Sequence, residues 1–197
     1  MPSPATDISP IQLPITTRRL IIRDYTEQDG AAVAAYVAVE SYWEHQAVDI
    51  PAAEQIKALV TWAAAETNIK PRINYFLAAT KKDTGEIIGE GVLKVVNPAK
   101  RQGEIGFGVA PKYWKQGFGS EIAAAVLDAA FQHFKLHRVA GQCSPDNTGS
   151  IRIMQKLGLA REGLLRDIHF ARGKWWSTLI YGILDQEYVK IKAMKKA

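Results

Sequence analysis

No internal disulfide can form in this chain, because Cys143 is its only cysteine. That excludes the stapled scaffolds of small secreted proteins and fits a reducing compartment, with Cys143 read as a small apolar residue inside a strand. Nor does any apolar run reach the roughly 20 residues needed to cross a bilayer. Met1 to Pro14 hold four prolines, without the basic start or apolar core of a signal peptide, so a cytoplasmic protein is expected. The histidines His45, His133, His137 and His169 stand at no ligand spacing with one another or with Cys143, so no metal is expected. A strong charge of one sign is missing too. The 25 Lys and Arg against 20 Asp and Glu leave +5, enough to favour an anionic ligand or acidic partner. No continuous basic and aromatic surface argues for nucleic acid.

What is present is ordinary globular composition: 197 residues, 47% hydrophobic and 23% charged, which suits one folded domain. The expected layout is a flexible leader at 1–14, a domain at 15–188 and a basic tail at 189–197 carrying Lys190, Lys192, Lys195 and Lys196. Thr17 to Asp24 reads as a strand, and Thr26 with Asp29 three residues on resembles a capping box that opens a helix into Val39. A second helix is expected from Pro51 to Glu66. Strands follow at Tyr75–Thr80 and Glu86–Val96 across a KDTG turn, then Glu104–Val109, stopped by Pro111. A long helix over Gly117–Phe134, a strand at His137–Cys143, a helix over Asn147–Leu157 ended by Gly158, and two strands around Gly173 complete a mixed α/β domain.

The informative stretch is VAPKYWKQGFGSE, Val109 to Glu121. A strand ends, proline blocks its continuation, and a glycine-bearing loop opens the longest helix. The first N–H groups of a helix lack internal partners and carry partial positive charge, so this arrangement suits an anion. Gly117 and Gly119 let the backbone come close to a diphosphate. The loop is neither a Walker A sequence nor a dinucleotide fingerprint, which needs a third glycine.

The loop resembles the coenzyme A pyrophosphate loop of the GNAT acyltransferase superfamily, Q/R-x-x-G-x-G/A, with Trp114 where glutamine or arginine is usual. Three further segments resemble the RimJ/RimL branch, which acetylates protein N-termini: TRRLIIR from Thr17, NTGSIRIMQKLG from Asn147 followed by Glu162 and Gly163, and RGKWWSTLIY from Arg172, with Ser177 in place of the usual aspartate. The resemblance covers 15–188 and implies an α+β fold. Its central sheet is mostly antiparallel, with about seven strands, a splay between the fourth and fifth, and about four flanking helices. Acetyl-CoA as cosubstrate is implied, with an acceptor amine on a protein N-terminus or a small molecule, and a monomer or homodimer.

By the same resemblance, backbone groups of Phe107 and Val109 pair with the pantetheine arm and thioester. Gln116, Gly117, Phe118, Gly119 and Ser120 hold the pyrophosphate, with Lys112 and Lys115 nearby as added charge or solvated lysines. Asn147 bonds the pantetheine, caps its helix, or does both. Glu104 is the expected base, with Glu90 as its alternate. The tyrosine that many relatives use as acid is replaced by Met154, which leaves Ser150 as the candidate proton donor. Trp43, Trp175 and Trp176 line a substrate cleft or serve as packing, and Glu40, Glu44 and Asp49 form either an acidic pocket for a cationic amine or a solvated face.

Overall fold

Branched and aromatic residues alternating along the chain build a sheet in which each strand lends its odd and even positions to opposite helical layers. The computed structural model describes residues 11–194, so positions 1–10 of the expected leader and 195–197 of the expected tail lie outside the described residues. In chain order the elements are β1 (Ile15–Thr16), β2 (Leu20–Asp24), α1 (Gly30–Val37), α2 (Ala53–Ala65), β3 (Asn74–Lys81), β4 (Ile87–Asn97) and β5 (Gln102–Val109). They continue as α3 (Phe118–Asp128), β6 (Arg138–Cys143), α4 (Thr148–Leu157), β7 (Ala160–Ala171), β8 (Lys174–Leu184) and α5 (Asp185–Met194). The sheet has eight strands in the order β1-β2-β3-β4-β5-β6-β8-β7, the seven expected plus the two-residue β1. Its pairs are antiparallel except β5–β6, which is parallel.

One face of the sheet packs under α3 and α4 around Leu20, Ile22, Leu77, Leu93, Ile122 and Met154, each 0–1% exposed. Burying a side chain of this size stabilises the fold by about 1.5–3 kcal/mol. The other face carries a smaller core of Tyr25, Val33, Tyr36, Tyr42, Trp43, Ile56 and Val60, supplied mainly by the segment 25–63.

The helix starts follow the sequence signals with small shifts. The Asp29 carboxylate accepts the Thr26 N–H at 2.7 Å, but the turn it closes is 3-10, and α1 begins one residue later. The Gln55 side chain caps Ala52 in the same way, so α2 starts two residues beyond Pro51. The long helix does not run unbroken to Phe134: after Asp128 it widens into a π turn over Ala129–His133. At the two ends, Ile11 and Leu13 pack on the larger core, and α5 buries Tyr188 there while Lys192 pairs with Asp128 at 2.7 Å. Among the described residues no helix is long and apolar enough to cross a membrane.

Candidate active site

The site begins where two parallel strands part. β5 and β6 stay in register from Gln102 opposite Arg138 to Ile105 opposite Gly141, and pair no further. Beyond that point β6 pairs only with β8, through Cys143 opposite Leu179, so Gly106 to Val109 border a gap. The expected splay between the strands at 104–109 and 137–143 is this gap. The Ala110 N–H donates to the Ile88 carbonyl at 2.8 Å. By antiparallel alternation the Gly108 and Gly106 N–H groups turn toward β4 as well, which leaves those of Phe107 and Val109 facing the gap. The Val109 carbonyl also faces away from β4 and accepts the Trp114 indole N–H at 2.6 Å.

The loop that follows ends in a tight nest. Lys115 and Gly117 both adopt left-handed backbone, with φ of 61° and 83°, on either side of Gln116. Gly117 is the N-cap of α3, and the first helical bond runs from the Glu121 N–H to the Gly117 carbonyl at 3.2 Å. The N–H groups of Phe118, Gly119 and Ser120 therefore lie in the unpaired first turn. Phe118 contributes only backbone there, since its buried ring lies under the Arg19 guanidinium at 3.9 Å. Gly119 admits α4: a Cβ at this position would come within 3.0 Å of the Ile153 side chain.

Glu121 holds this loop to the sheet. Its carboxylate accepts the Thr17 hydroxyl (2.6 Å), the Arg19 N–H (2.7 Å) and the Arg19 Nε–H (2.8 Å). Arg19 Nη1 reaches on to the Gln116 carbonyl at 2.9 Å. Burial pulls the Glu121 pKa up, but these hydrogen bonds outweigh it and hold the carboxyl below its usual range. Lys112 turns away to an ion pair with Glu86, at 2.5 Å. The donors present, with fixed backbone N–H groups at the mouth of an open gap, fit a diphosphate followed by a thin amide-bearing arm, as acetyl-CoA requires.

Across the gap, Asn147 Oδ1 accepts the Ser150 N–H at 2.9 Å, so Asn147 does cap α4. Ser150 is half-buried in the first turn of that helix. Met154 is 1% exposed and belongs to the core. Burial pushes the Cys143 thiol up to about 11, so it stays protonated.

The two carboxylates of the sheet's other face are placed differently. Glu104 lies where β5 is still paired on both sides, opposite Lys94 on β4 and Ala140 on β6. Glu90 lies opposite Gly108, beside the gap, about 13 Å further along the strand at 3.3 Å per residue. Tyr42 Oη donates to Glu90 Oε1 at 3.0 Å. Gly108 is a glycine for this reason: a Cβ would stand 2.8 Å from Tyr42 Oη and 3.1 Å from Glu90 Oε1. Burial pushes the Glu90 carboxyl above its usual range, against the pull of the Tyr42 hydrogen bond. Burial, then the charge of Glu90, raises the pKa of Tyr25, Tyr36 and Tyr42, which keeps all three phenols protonated. Tyr36 Oη, on a side chain 8% exposed, has no hydrogen-bond partner among the described residues. No spacing in the sequence groups these tyrosines, because they come from a loop after β2, from α1 and from a 3-10 turn over Glu40–Trp43.

Next to them, a cleft of about 410 Å³ is lined by Glu40, Ser41, Glu44, Arg172, Lys174 and Trp176. Asp49 is not part of the lining; it accepts the Arg172 backbone N–H at 2.9 Å. The expected acidic cluster is therefore divided, and the two glutamates that remain share the cleft with two cations. Trp176 is buried, its indole N–H bonded to the Ala171 carbonyl at 2.9 Å, and Trp43 is core, bonded to the Val37 carbonyl at 2.6 Å. Trp175 points out of the opposite face, 60% exposed. Ser177, in place of the usual aspartate, bonds Asp167 at 3.1 Å. Among the described residues no group of three or more His, Cys, Asp or Glu side chains is placed to hold a metal ion.

Comparison with known proteins matches residues 19–160 to the acetyltransferase (GNAT) domain. The chain is 30% identical over 174 residues to the uncharacterized N-acetyltransferase YnaD of Bacillus subtilis strain 168, covering 88% of this chain and 98% of that one. Its fold is similar to the crystal structure of a GNAT-family acetyltransferase from Bacillus anthracis, with a TM-score of 0.75 and 28% identity over 88% of this chain and 99% of that one. It is also 24% identical over 103 residues to the spermidine N(1)-acetyltransferase of Vibrio cholerae, covering 52% of this chain and 60% of that one.

Proposed function

The chain belongs to the GNAT acetyltransferase family, and from that premise we propose that it moves an acetyl group from acetyl-CoA to the α-amino group of a protein or peptide N-terminus. The observation that carries the reading is the pairing of β4 with β5: it sets Glu90 opposite Gly108, between the gap-facing N–H groups of Phe107 and Val109. An acceptor entering from the tyrosine side meets Glu90 first. Glu90 takes the ammonium proton, and the freed nitrogen attacks the thioester carbonyl carbon. The Val109 N–H meets the charge gained by the carbonyl oxygen, where an aimed donor counts most. The C–N bond forms as the C–S bond breaks, the amide nitrogen sheds its second proton to water, and the sulfur leaves as thiolate or takes a proton from Ser150, directly or through water, which then reprotonates the hydroxyl. The α3 end and its glycines, Gly117 and Gly119, hold the diphosphate, assisted by Gln116, Phe118 and Ser120 backbone; Asn147 steadies the pantetheine arm beside its capping role.

Glu90 replaces Glu104 as base in this reading because it lies opposite Gly108 at the gap, with a carboxyl whose pKa is raised by burial, whereas Glu104 lies where β5 is still paired on both sides. The acceptor assignment, like the RimJ/RimL-type resemblance behind it, draws on the cleft beyond Tyr42. Arg172 and Lys174 there face Glu40 and Glu44, which suits a peptide with charges of both signs and penalises a polycation. A small amine is the second reading, supported by the similarity to the spermidine enzyme.

The test is thiol release from acetyl-CoA with a panel of N-terminal peptides and small amines. Release with peptides supports the proposal and ranks their first residues. Release with polyamines alone overturns the acceptor assignment, and tight acetyl-CoA binding without release from any member would point to a binding module.

A further inference from the structure

Arg172 stands where local geometry favours a different residue. It is the first of the two residues between β7 and β8, with φ of 50°, and Gly173 follows with φ of 71°. A two-residue turn with left-handed backbone at both positions favours asparagine, aspartate or glycine in the first, and a longer side chain there is strained. The guanidinium is not placed for its own hydrogen bonding either. Its Nε is buried and has no hydrogen-bond partner among the described residues, which costs stability. What holds it is the Trp176 ring, whose centroid lies 4.5 Å from Cζ, and the Gln46 carbonyl, to which Nη2 donates at 2.6 Å.

What the arginine gains lies across the cleft. Its backbone N–H donates to Asp49 Oδ1 at 2.9 Å, so it grips the segment 46–49 at two points. Gln46 passes the restraint on: its Nε2 donates to the Tyr42 carbonyl at 2.9 Å and its N–H to the Trp43 carbonyl at 3.0 Å. The Tyr42 ring makes edge contacts with Tyr36 and Trp43, and its hydroxyl donates to Glu90 Oε1 at 3.0 Å. Three hydrogen bonds thus run from the β7–β8 turn to the carboxylate opposite Gly108. From this chain we infer that Arg172 is a positioning residue for acetyl transfer: through Gln46 and Tyr42 it holds Glu90 Oε1 and leaves Oε2 for the acceptor amine. The inference rests on the reading of Glu90 as base.

The same chain acts on the acidity of that base. The Tyr42 hydrogen bond favours the ionised carboxylate, against burial, which favours the protonated one. The other titratable groups facing Glu90 are Tyr25, from the loop after β2, and Tyr36, from α1; both phenols stay protonated. The cross-strand neighbours Ala78 and Gly108 carry no charge. Releasing Arg172 therefore reaches Glu90 through Tyr42, as a weaker hydrogen bond and a higher carboxyl pKa.

The pH–rate profile tests this, with circular dichroism and acetyl-CoA affinity as the check that each variant folds. Loss of rate on the acidic side reports protonation of Glu90. Tyr42→Phe should move that limb up by about one pH unit. Arg172→Met and Gln46→Ala should move it the same way by a smaller step, and Arg172→Lys, which can still donate to the Gln46 carbonyl, should recover part of the shift. Combined with Tyr42→Phe, Arg172→Met should add nothing, because it acts through the bond already removed. If Arg172→Met fails to fold, Gln46→Ala decides, since it breaks the same chain and leaves the turn intact. A wild-type limb in these variants, whether or not the acceptor KM rises, overturns the inference, and so does a shift that adds to that of Tyr42→Phe. A wild-type profile in Glu90→Gln is a different failure: it removes the base itself, and the inference with it.

Discussion

Two carboxylates stand on opposite faces of the sheet, and the structure treats them in opposite ways. Glu121, at the start of α3, receives three hydrogen bonds from Thr17 and Arg19, and its pKa falls. Glu90, on β4, receives one, from Tyr42, and burial raises its pKa. A fully paired carboxylate holds structure together and has no reason to take a proton. One that is buried and under-paired holds a proton more tightly than an ordinary carboxylate, which is what a base for an amine needs. In the proposed function, Glu121 therefore ties down the loop that would grip the cosubstrate, while Glu90 would act on the acceptor.

The largest expected effect is at Glu90. Glu90→Gln should lower the acetylation rate by about 10²–10⁴-fold while acetyl-CoA affinity, read by calorimetry, is retained. The residual rate should follow the ionisation of the amine itself, at a pKa of about 7.7–8.0 for an α-amino group. A variant with the wild-type pH–rate profile would remove Glu90 from the chemistry. Stability carries its own sign. The folded protein holds the Glu90 proton more tightly than the unfolded chain does, so stability falls as pH rises from the usual glutamate range through the raised value. The glutamine variant should lack that slope and melt higher at neutral pH.

Gly117→Glu acts on the other region. Acetyl-CoA binding should drop below detection by calorimetry, because the side chain would bring bulk and negative charge to the α3 N-terminus and strain a φ of 83°. Gly117→Asn, which tolerates left-handed backbone, should keep measurable binding. Equal affinity in wild type and Gly117→Glu would move the diphosphate elsewhere.

Glu121→Gln should cost about 1–3 kcal/mol of stability at neutral pH by urea titration, since it weakens three charge-assisted hydrogen bonds. The depressed pKa of Glu121 adds stability that is present above the unfolded value and lost as pH falls through the folded one, so the difference from wild type should vanish in acid. The smallest effect is expected at Glu104. Glu104→Gln should leave the pH–rate profile in place and alter stability by about 0.5 kcal/mol or less. A large loss of rate there, with Glu90→Gln active, would reverse the comparison.

Local chemistry written in consecutive residues is legible in the sequence. The strand-blocking proline, the paired glycines at a helix start, the Thr26–Asp29 cap and the Asn147 cap each act within a few positions, so their spacing in the sequence is their spacing in space. The mixed sheet and the parting of β5 from β6 follow from the same order of elements, helped by the family resemblance. The choice between Glu90 and Glu104 does not follow. Both lie on one face of adjacent strands, and only the cross-strand register sets one beside the gap and the other beside Lys94. Tyr25, Tyr36 and Tyr42 likewise become a group only when the segment 25–43 folds over β4, and the charges of Glu40 and Glu44 meet Arg172 and Lys174 only through the β7–β8 turn. Secondary structure and the glycine loop before α3 were thus determined by short-range sequence, because capping and periodicity act between near neighbours in the chain. The acidity of each carboxylate was decided by tertiary structure, because burial and hydrogen bonding depend on neighbours that are distant along the chain.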